Sequence, residues 1–202
     1  TINEICNNFQ TPIIEDAAES LGAEYNNKKC GAFGEMSILS FNGNKIITTS
    51  GGGMLLSSNE IYIEKARKLS NQAREDVIHY EHKEIGYNYR MSNILAAIGR
   101  AQLKSIDTYV NIRRSIFDYY YNNLKDIDGL EFMPEIENGK SSRWLSVILL
   151  KDKSYNEIEK IINGFAKENI EVRPIWKPMH LQPVFNKISF YKKNDKPVSN
   201  YL

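Results

Sequence analysis

One lysine stands apart from the other basic residues of this sequence. In the stretch S-F-N-G-N-K-I-I-T-T-S-G-G-G-M, residues 40–54, Lys45 sits between an apolar lead-in (Ile38, Leu39, Phe41) and an apolar exit (Ile46, Ile47), ahead of Gly51, Gly52 and Gly53. An ammonium group in such surroundings is partly desolvated, which disfavours its charged form and leaves a neutral amine for attack on a carbonyl carbon. That is what a Schiff-base lysine requires. The plain alternative is a strand-end lysine that lays its stem along the surface and keeps its charge in water. The order of residues excludes a P-loop, because the lysine precedes the glycines and G-x-x-x-x-G-K-[ST] is absent. The glycines are expected to allow close backbone approach to another chain or to a cofactor.

Twenty-nine residues before Lys45 (45 − 16) stands Asp16, in P-I-I-E-D-A-A-E-S-L-G. An acid at the carboxyl end of a buried strand is costly without a cationic partner. A protonated pyridine nitrogen is such a partner, and a lysine paired with an aspartate at that nitrogen is a known cofactor arrangement. Together, I-E-D-A-A-E-S-L-G, S-F-N-G-N-K with T-T-S-G-G-G, and G-Y-N-Y-R-M-S-N-I-L-A-A-I-G resemble the DegT/DnrJ/StrS family of pyridoxal-phosphate-dependent nucleotide-sugar aminotransferases. The resemblance extends over nearly the whole chain.

That resemblance implies an α/β fold of the fold-type I, aspartate aminotransferase-like kind: an α/β/α large domain with a mixed sheet, and a smaller C-terminal α/β domain. It implies pyridoxal 5'-phosphate as cofactor, with Lys45 as the lysine that joins it and shuttles the proton. Asp16 is then expected at the ring nitrogen, Glu19 at the ring hydroxyl, Ser40 on the phosphate, and Asn88 on the phosphate of the neighbouring subunit, which makes the active sites shared in a homodimer. Arg173, Lys177 and His180 fall where family members place substrate contacts, and their charges are expected to suit a nucleotide diphosphate. The implied reaction moves an amino group from glutamate to a keto-sugar nucleotide, closest to a UDP-4-keto-6-deoxy-N-acetylhexosamine, in cytoplasmic polysaccharide or glycosylation pathways. Family members that act as sugar dehydratases carry histidine in place of the lysine, and a purely regulatory module would have lost the pair; both Asp16 and Lys45 are present.

The sequence of 202 residues has 26 basic and 25 acidic residues, so its formal net charge of +1 points to neither nucleic acid nor an anionic membrane. Two cysteines, Cys6 and Cys30, give no disulfide framework. No apolar run approaches the roughly 20 residues of a membrane span. His79 and His82 lack the further ligands of a metal site. Family members are longer, so the chain is read as an internal segment. The missing upstream part is expected to supply the aromatic residue that stacks on the ring and further phosphate ligands.

The apolar pattern places a helix end over residues 2–9, a buried strand over 11–14 that delivers Asp16, and a loop or loose hairpin over 20–34. Strands follow over 36–41 and 54–57, and a helix over 60–72 capped from Ser57-Ser58-Asn59. Residues 74–84 read as an exposed loop, and Ser92 as the N-cap of one long helix reaching Tyr120. Beyond it, strands over 130–133 and 143–150, a helix over 154–168 with the capping box Ser154…Glu157, and a strand over 170–173 closed by Pro174 make a βαβ-like unit. The expected division is a large-domain part over 1–124 and a small-domain part over 125–202.

Overall fold

The structure is a computed structural model and describes residues 1–192 and 198–200. The chain folds as two compact units. The first holds Thr1–Asn123 together with Pro134–Ser146, and the second holds Leu124–Met133 and the chain from Val147 onward. Relative to the expected division at 124/125, the first unit ends one residue earlier, and residues 134–146 return to it.

In the first unit a three-stranded sheet carries the N-terminal motifs. β1 (Ile14–Asp16) runs parallel to β4 (Met36–Ser40), with Asp16 opposite Ile38, and β4 pairs antiparallel with β5 (Gly53–Ser57), with Ser40 opposite Gly53. Gly53 is required there, since a Cβ would stand 2.4 Å from the Leu39 carbonyl oxygen, and Gly52 reaches that register through a φ of +86°. The close approach foreseen for this glycine run is thus made at Gly53, within the chain. Residues 20–34 do form a hairpin, β2 (Glu24–Tyr25) with β3 (Lys28–Lys29), turned by Asn26 and Asn27 at φ of 49° and 59°. Its other neighbour is β7 (Gly139–Lys140), from the returning segment.

Glu15 stabilises this corner. Its carboxylate accepts hydrogen bonds from the backbone N–H groups of Gly31 (2.6 Å), Phe33 (2.8 Å) and Gly34 (3.3 Å). Those donors would otherwise lie half-buried without an acceptor.

The helices start where polar caps stand. α1 spans Ile2–Asn8; α2 spans Glu60–Ser70, and Asn59 accepts from the Ile61 N–H at 3.0 Å. The single helix expected from Ser92 to Tyr120 is two: α3 (Asn93–Leu103), with Ser92 accepting from Leu95, and α4 (Ile106–Leu124). They part at Lys104-Ser105, where the Ser105 N–H bonds to the Gln102 carbonyl, three residues back, and its own carbonyl receives the Tyr109 N–H. An apolar period alone does not register such a break, because the stripe continues across it. The core of the unit gathers Ala17, Ala23, Phe41, Ile47, Ala73, Val110 and Phe117.

The second unit contains an antiparallel pair, β6 (Leu130–Phe132) with β8 (Ile148–Leu150), and α5 (Tyr155–Lys167), opened by the expected capping box of Ser154 and Glu157. Hydrogen bonds from Ser154 hold the Glu157 carboxyl down at about 2. Of the expected strands, the one over 143–150 forms only as β8, and the one over 170–173 does not form. Residues 143–147 do not extend β8, since Arg143 has a φ of 48° and its N–H bonds to the Ser141 hydroxyl. Residues 170–173 follow the left-handed Asn169 at the end of α5 and have no strand partner among the described residues. Pro174 and Pro178 lack the N–H that a ladder needs. The βαβ-like reading is corrected accordingly to an antiparallel pair with one helix. No helix among the described residues is long and apolar enough to cross a membrane.

Glu15→Ala should strip three backbone donors of their acceptor and cost about 1–3 kcal/mol of stability. Urea unfolding of the variant checks this, and a midpoint equal to that of the parent protein would contradict the role.

Candidate active site

The residues after β4 fold back on Phe41. Its carbonyl accepts from the Thr49 N–H at 2.9 Å and from the Thr48 hydroxyl at 3.2 Å, while Ile47 is fully buried. From α3, the Gln102 amide grips Thr48 on both sides, accepting from its N–H at 3.1 Å and donating to its carbonyl at 2.6 Å. Lys45 lies in the turn that this fixes, its N–H bonded to the Asn42 carbonyl at 3.1 Å.

The lysine side chain is 12% exposed, and its amine meets the Glu19 carboxylate at 2.9 Å. The Trp144 ring centroid stands 4.5 Å from the same nitrogen. Ala18, Glu19, Leu21, Ser40, Lys45, Ile46 and Trp144 line one small cavity. Its walls are aliphatic and aromatic, with one amine, one carboxylate and one hydroxyl, the composition expected of a site for an organic ligand with a few fixed polar groups.

The structure thus brings Lys45, Glu19 and Ser40 together. Asp16 ends the strand beside β4 but does not line this cavity; it is exposed, and its Oδ1 accepts from the Ala18 N–H at 3.1 Å. The strand that Asp16 ends is therefore not the buried one expected. β1 has a sheet neighbour on one side only among the described residues, and Ile14 is 64% exposed. Asn88 is exposed beside the end of α2, bridged to Asn71, and is likewise outside the cavity lining. Arg173, Lys177 and His180 belong to the second unit. There Arg173 pairs with Glu171 at 2.6 Å, the Lys177 carbonyl accepts from Gln182 at 3.2 Å, and His180 stacks on Phe190 with ring centroids 3.8 Å apart. His79 and His82 turn to different partners, Glu81 and the Gln72 carbonyl.

Nothing in the sequence marks Trp144 or Gln102 for this site: Gln102 is one of several polar residues on its helix, and Trp144 falls within the strand expected over 143–150. The tryptophan's segment is fastened to α4 by Arg114, whose guanidinium forks onto Glu135 at 2.7 and 3.0 Å and donates to the Ser141 carbonyl at 2.7 Å. Glu135 also accepts from the Ser141 N–H. Hydrogen bonding to Arg114 holds the Glu135 carboxyl down at about 2 against some opposing desolvation, and Arg114 is raised in turn. Next to the tryptophan, Arg143 is 5% exposed and lies 3.8 Å over the Phe117 ring, with burial pulling its own ionisation downward.

A half-buried lysine amine, facing a carboxylate at the rim of an α/β sheet, defines a candidate site for a carbonyl ligand attached through lysine. The chain matches the DegT/DnrJ/EryC1/StrS aminotransferase family over residues 1–202 and belongs to it. Over 194 residues it is 54% identical to the putative pyridoxal phosphate-dependent aminotransferase EpsN of Bacillus subtilis, covering 96% of this chain and 50% of that protein. Over 200 residues it is 34% identical to the GDP-perosamine synthase of Vibrio cholerae, covering 99% of this chain and 54% of that one. Among solved structures it resembles Helicobacter pylori PseC, an aminotransferase involved in the biosynthesis of pseudoaminic acid, with a TM-score of 0.85, 26% identity, and 95% and 53% of the two chains covered. The chain spans about half the length of the curated relatives it matches.

The polar groups here match the family's cofactor, pyridoxal 5'-phosphate, in kind: an amine for its aldehyde and a hydroxyl at a strand end for its phosphate.

The fork predicts an acid dependence. The Glu135 carboxyl is lower in the folded state, at about 2, than the roughly 4.3 of a free glutamate. Its contribution to stability is therefore complete above about 4.3 and is lost as pH falls towards about 2. Glu135→Gln should remove that part of the acid unfolding curve, followed by circular dichroism. An unchanged curve would show that the fork does not carry it.

Proposed function

We propose that the protein is a pyridoxal-phosphate-dependent aminotransferase that moves an amino group from glutamate to a keto-sugar nucleotide. The observation that carries this reading is the Lys45 amine, 12% exposed and 2.9 Å from Glu19, in one cavity with Ser40. When bound, pyridoxal 5'-phosphate supplies an aldehyde for attachment and a ring that accepts the electrons of a carbanion.

The chain's own residues then divide the work. Lys45 Nζ would hold the cofactor and, when free of it, would carry the proton between the amino-donor carbon and the C4′ carbon of the cofactor. Asp16 would keep a proton on the ring nitrogen through its second oxygen, while Oδ1 accepts from the Ala18 N–H. Glu19 receives the ring hydroxyl, and Ser40 donates to the phosphate. Arg173 and Lys177 meet the diphosphate of the nucleotide. His180 is assigned to the same contact and must turn away from its stack on Phe190 to make it.

Asn88 acts in the partner subunit's site, so that the homodimer contains two shared sites. This is supported by its exposed loop and by the apolar residues around it: Ile78 and Ile85 on that loop and Ile94 at the start of α3 stand in solvent in the single chain. The cysteines are free thiols, in keeping with a cytoplasmic enzyme.

For the sugar, our reading is a UDP-4-keto-6-deoxy-N-acetylhexosamine, supported by the motifs around Asp16, Lys45 and Asn88. A GDP-linked keto-sugar is the second reading, favoured by the similarity to a GDP-perosamine synthase over 99% of the chain. Product analysis with both nucleotides separates them.

Borohydride reduction in the presence of pyridoxal 5'-phosphate should attach the cofactor at Lys45, read by peptide mass mapping. Lys45→Ala should lose more than the roughly hundredfold to ten-thousandfold of general acid-base catalysis alone, since covalent attachment is lost with it. A label on any other lysine sinks the assignment.

The shared site predicts complementation. An inactive Lys45→Ala protein mixed with an impaired Asn88→Trp protein should regain activity, because one of the two sites in a mixed dimer has both groups intact. Verified mixed dimers without recovery would return Asn88 to an ordinary loop role.

A further inference from the structure

Trp144 has no part in the chemistry assigned to Lys45, Glu19 and Ser40, yet its ring centroid lies 4.5 Å from the lysine amine. The cation is thus held between a carboxylate at 2.9 Å and an aromatic face. An aromatic face attracts an ammonium through its quadrupole, more strongly where water is kept out.

The backbone that presents the indole does not hold itself in place. Asn138 and Arg143 both have positive φ, 59° and 48°, and such conformations persist only where the surroundings over-determine them. Three contacts do so. β7 pairs with β2, with the Asn26 N–H bonded to the Asn138 carbonyl at 2.9 Å. Arg114 forks onto Glu135 and reaches the Ser141 carbonyl, three residues before the tryptophan. Arg143, its immediate neighbour, is buried over Phe117.

We propose that the Arg114–Glu135 fork and the Arg143–Phe117 stack seat Trp144 as a cover over the Lys45 amine, so that the indole and Glu19 together fix the amine and shield it from water. Arg114, Glu135 and Trp144 are positioning residues: they act on where the reactive nitrogen stands. The cover is a property of the cofactor-free chain, and it rests on the aminotransferase reading only for the chemistry that Lys45 goes on to perform. When the amine leaves Glu19 to react, the indole remains as an apolar wall that keeps the cavity dry, where electrostatic contacts are strongest.

The test uses the cofactor-free protein and acetic anhydride as probe, with acetylation of Lys45 measured by peptide mapping relative to the exposed Lys104. Trp144→Ala should raise the Lys45 rate by roughly threefold to tenfold, the range set by loss of a partly desolvated aromatic partner. Trp144→Phe, which keeps a ring, should stay near the parent value. Glu135→Gln and Arg114→Lys should raise the rate in the same direction. In a Trp176→Phe background, both should also shift the Trp144 emission to the red and increase its quenching by acrylamide.

A Lys45 rate unchanged in Trp144→Ala overturns the cover. Fork variants that lose thermal stability, yet keep the parent acetylation ratio and emission, overturn the seat. If pyridoxal 5'-phosphate fails to attach to Lys45 under borohydride, the aminotransferase reading falls and the cover stands on its own result. Attachment with unchanged acetylation does the reverse.

Discussion

The placing of a positive charge among apolar groups governs this half of the fold. Lys45 is 12% exposed and balanced by Glu19 at 2.9 Å. Glu19 itself is 48% exposed, so the pair adds little net stability, because the attraction is screened and both side chains give up freedom. Its value is positional. A lysine left to solvent would sample many rotamers, whereas this one is confined by a carboxylate and an aromatic face.

Everything near it serves that confinement. The β4–β5 register needs a residue without a Cβ at Gly53, and that register decides where the chain leaves Ser40. The burial of Ile47 and the grip of Gln102 on Thr48 close the far side of the loop. Glu15 collects three backbone donors beside the strand that ends in Asp16. Two adjacent acids therefore have different fates: Glu15 is consumed by the backbone, and Asp16 stays accessible.

Residues 134–146 make the least expected contribution. The chain leaves the first unit at the end of α4, and these residues bring it back, joined by an ion-pair fork and a guanidinium-aromatic stack. Both are charge-assisted contacts in partly desolvated places, and such contacts fix geometry more than they add stability. The polarity of this segment hid it. Its serines and arginine interrupt any apolar period, and its turns depend on partners far away in the chain.

The sequence by itself determined the family and most of the elements of the N-terminal half. Lys45 stands out by its apolar flanks, and Ser92 and Ser154 announce helix starts, because each of these depends on neighbours within a few residues. The family was legible from its three motifs, and Glu19 and Ser40 were expected beside Lys45 only through that resemblance. Only the tertiary structure decided that the long helix breaks at Ser105, that residues 170–173 form no strand, and that Asp16 caps Ala18 in the open. It alone brought Trp144, 99 residues beyond Lys45 (144 − 45), onto the amine. The reason is physical: a cap or a turn is a local hydrogen bond that residue type can signal, whereas a buried arginine, a fork and a cover exist only when distant segments meet and exclude water from the same place.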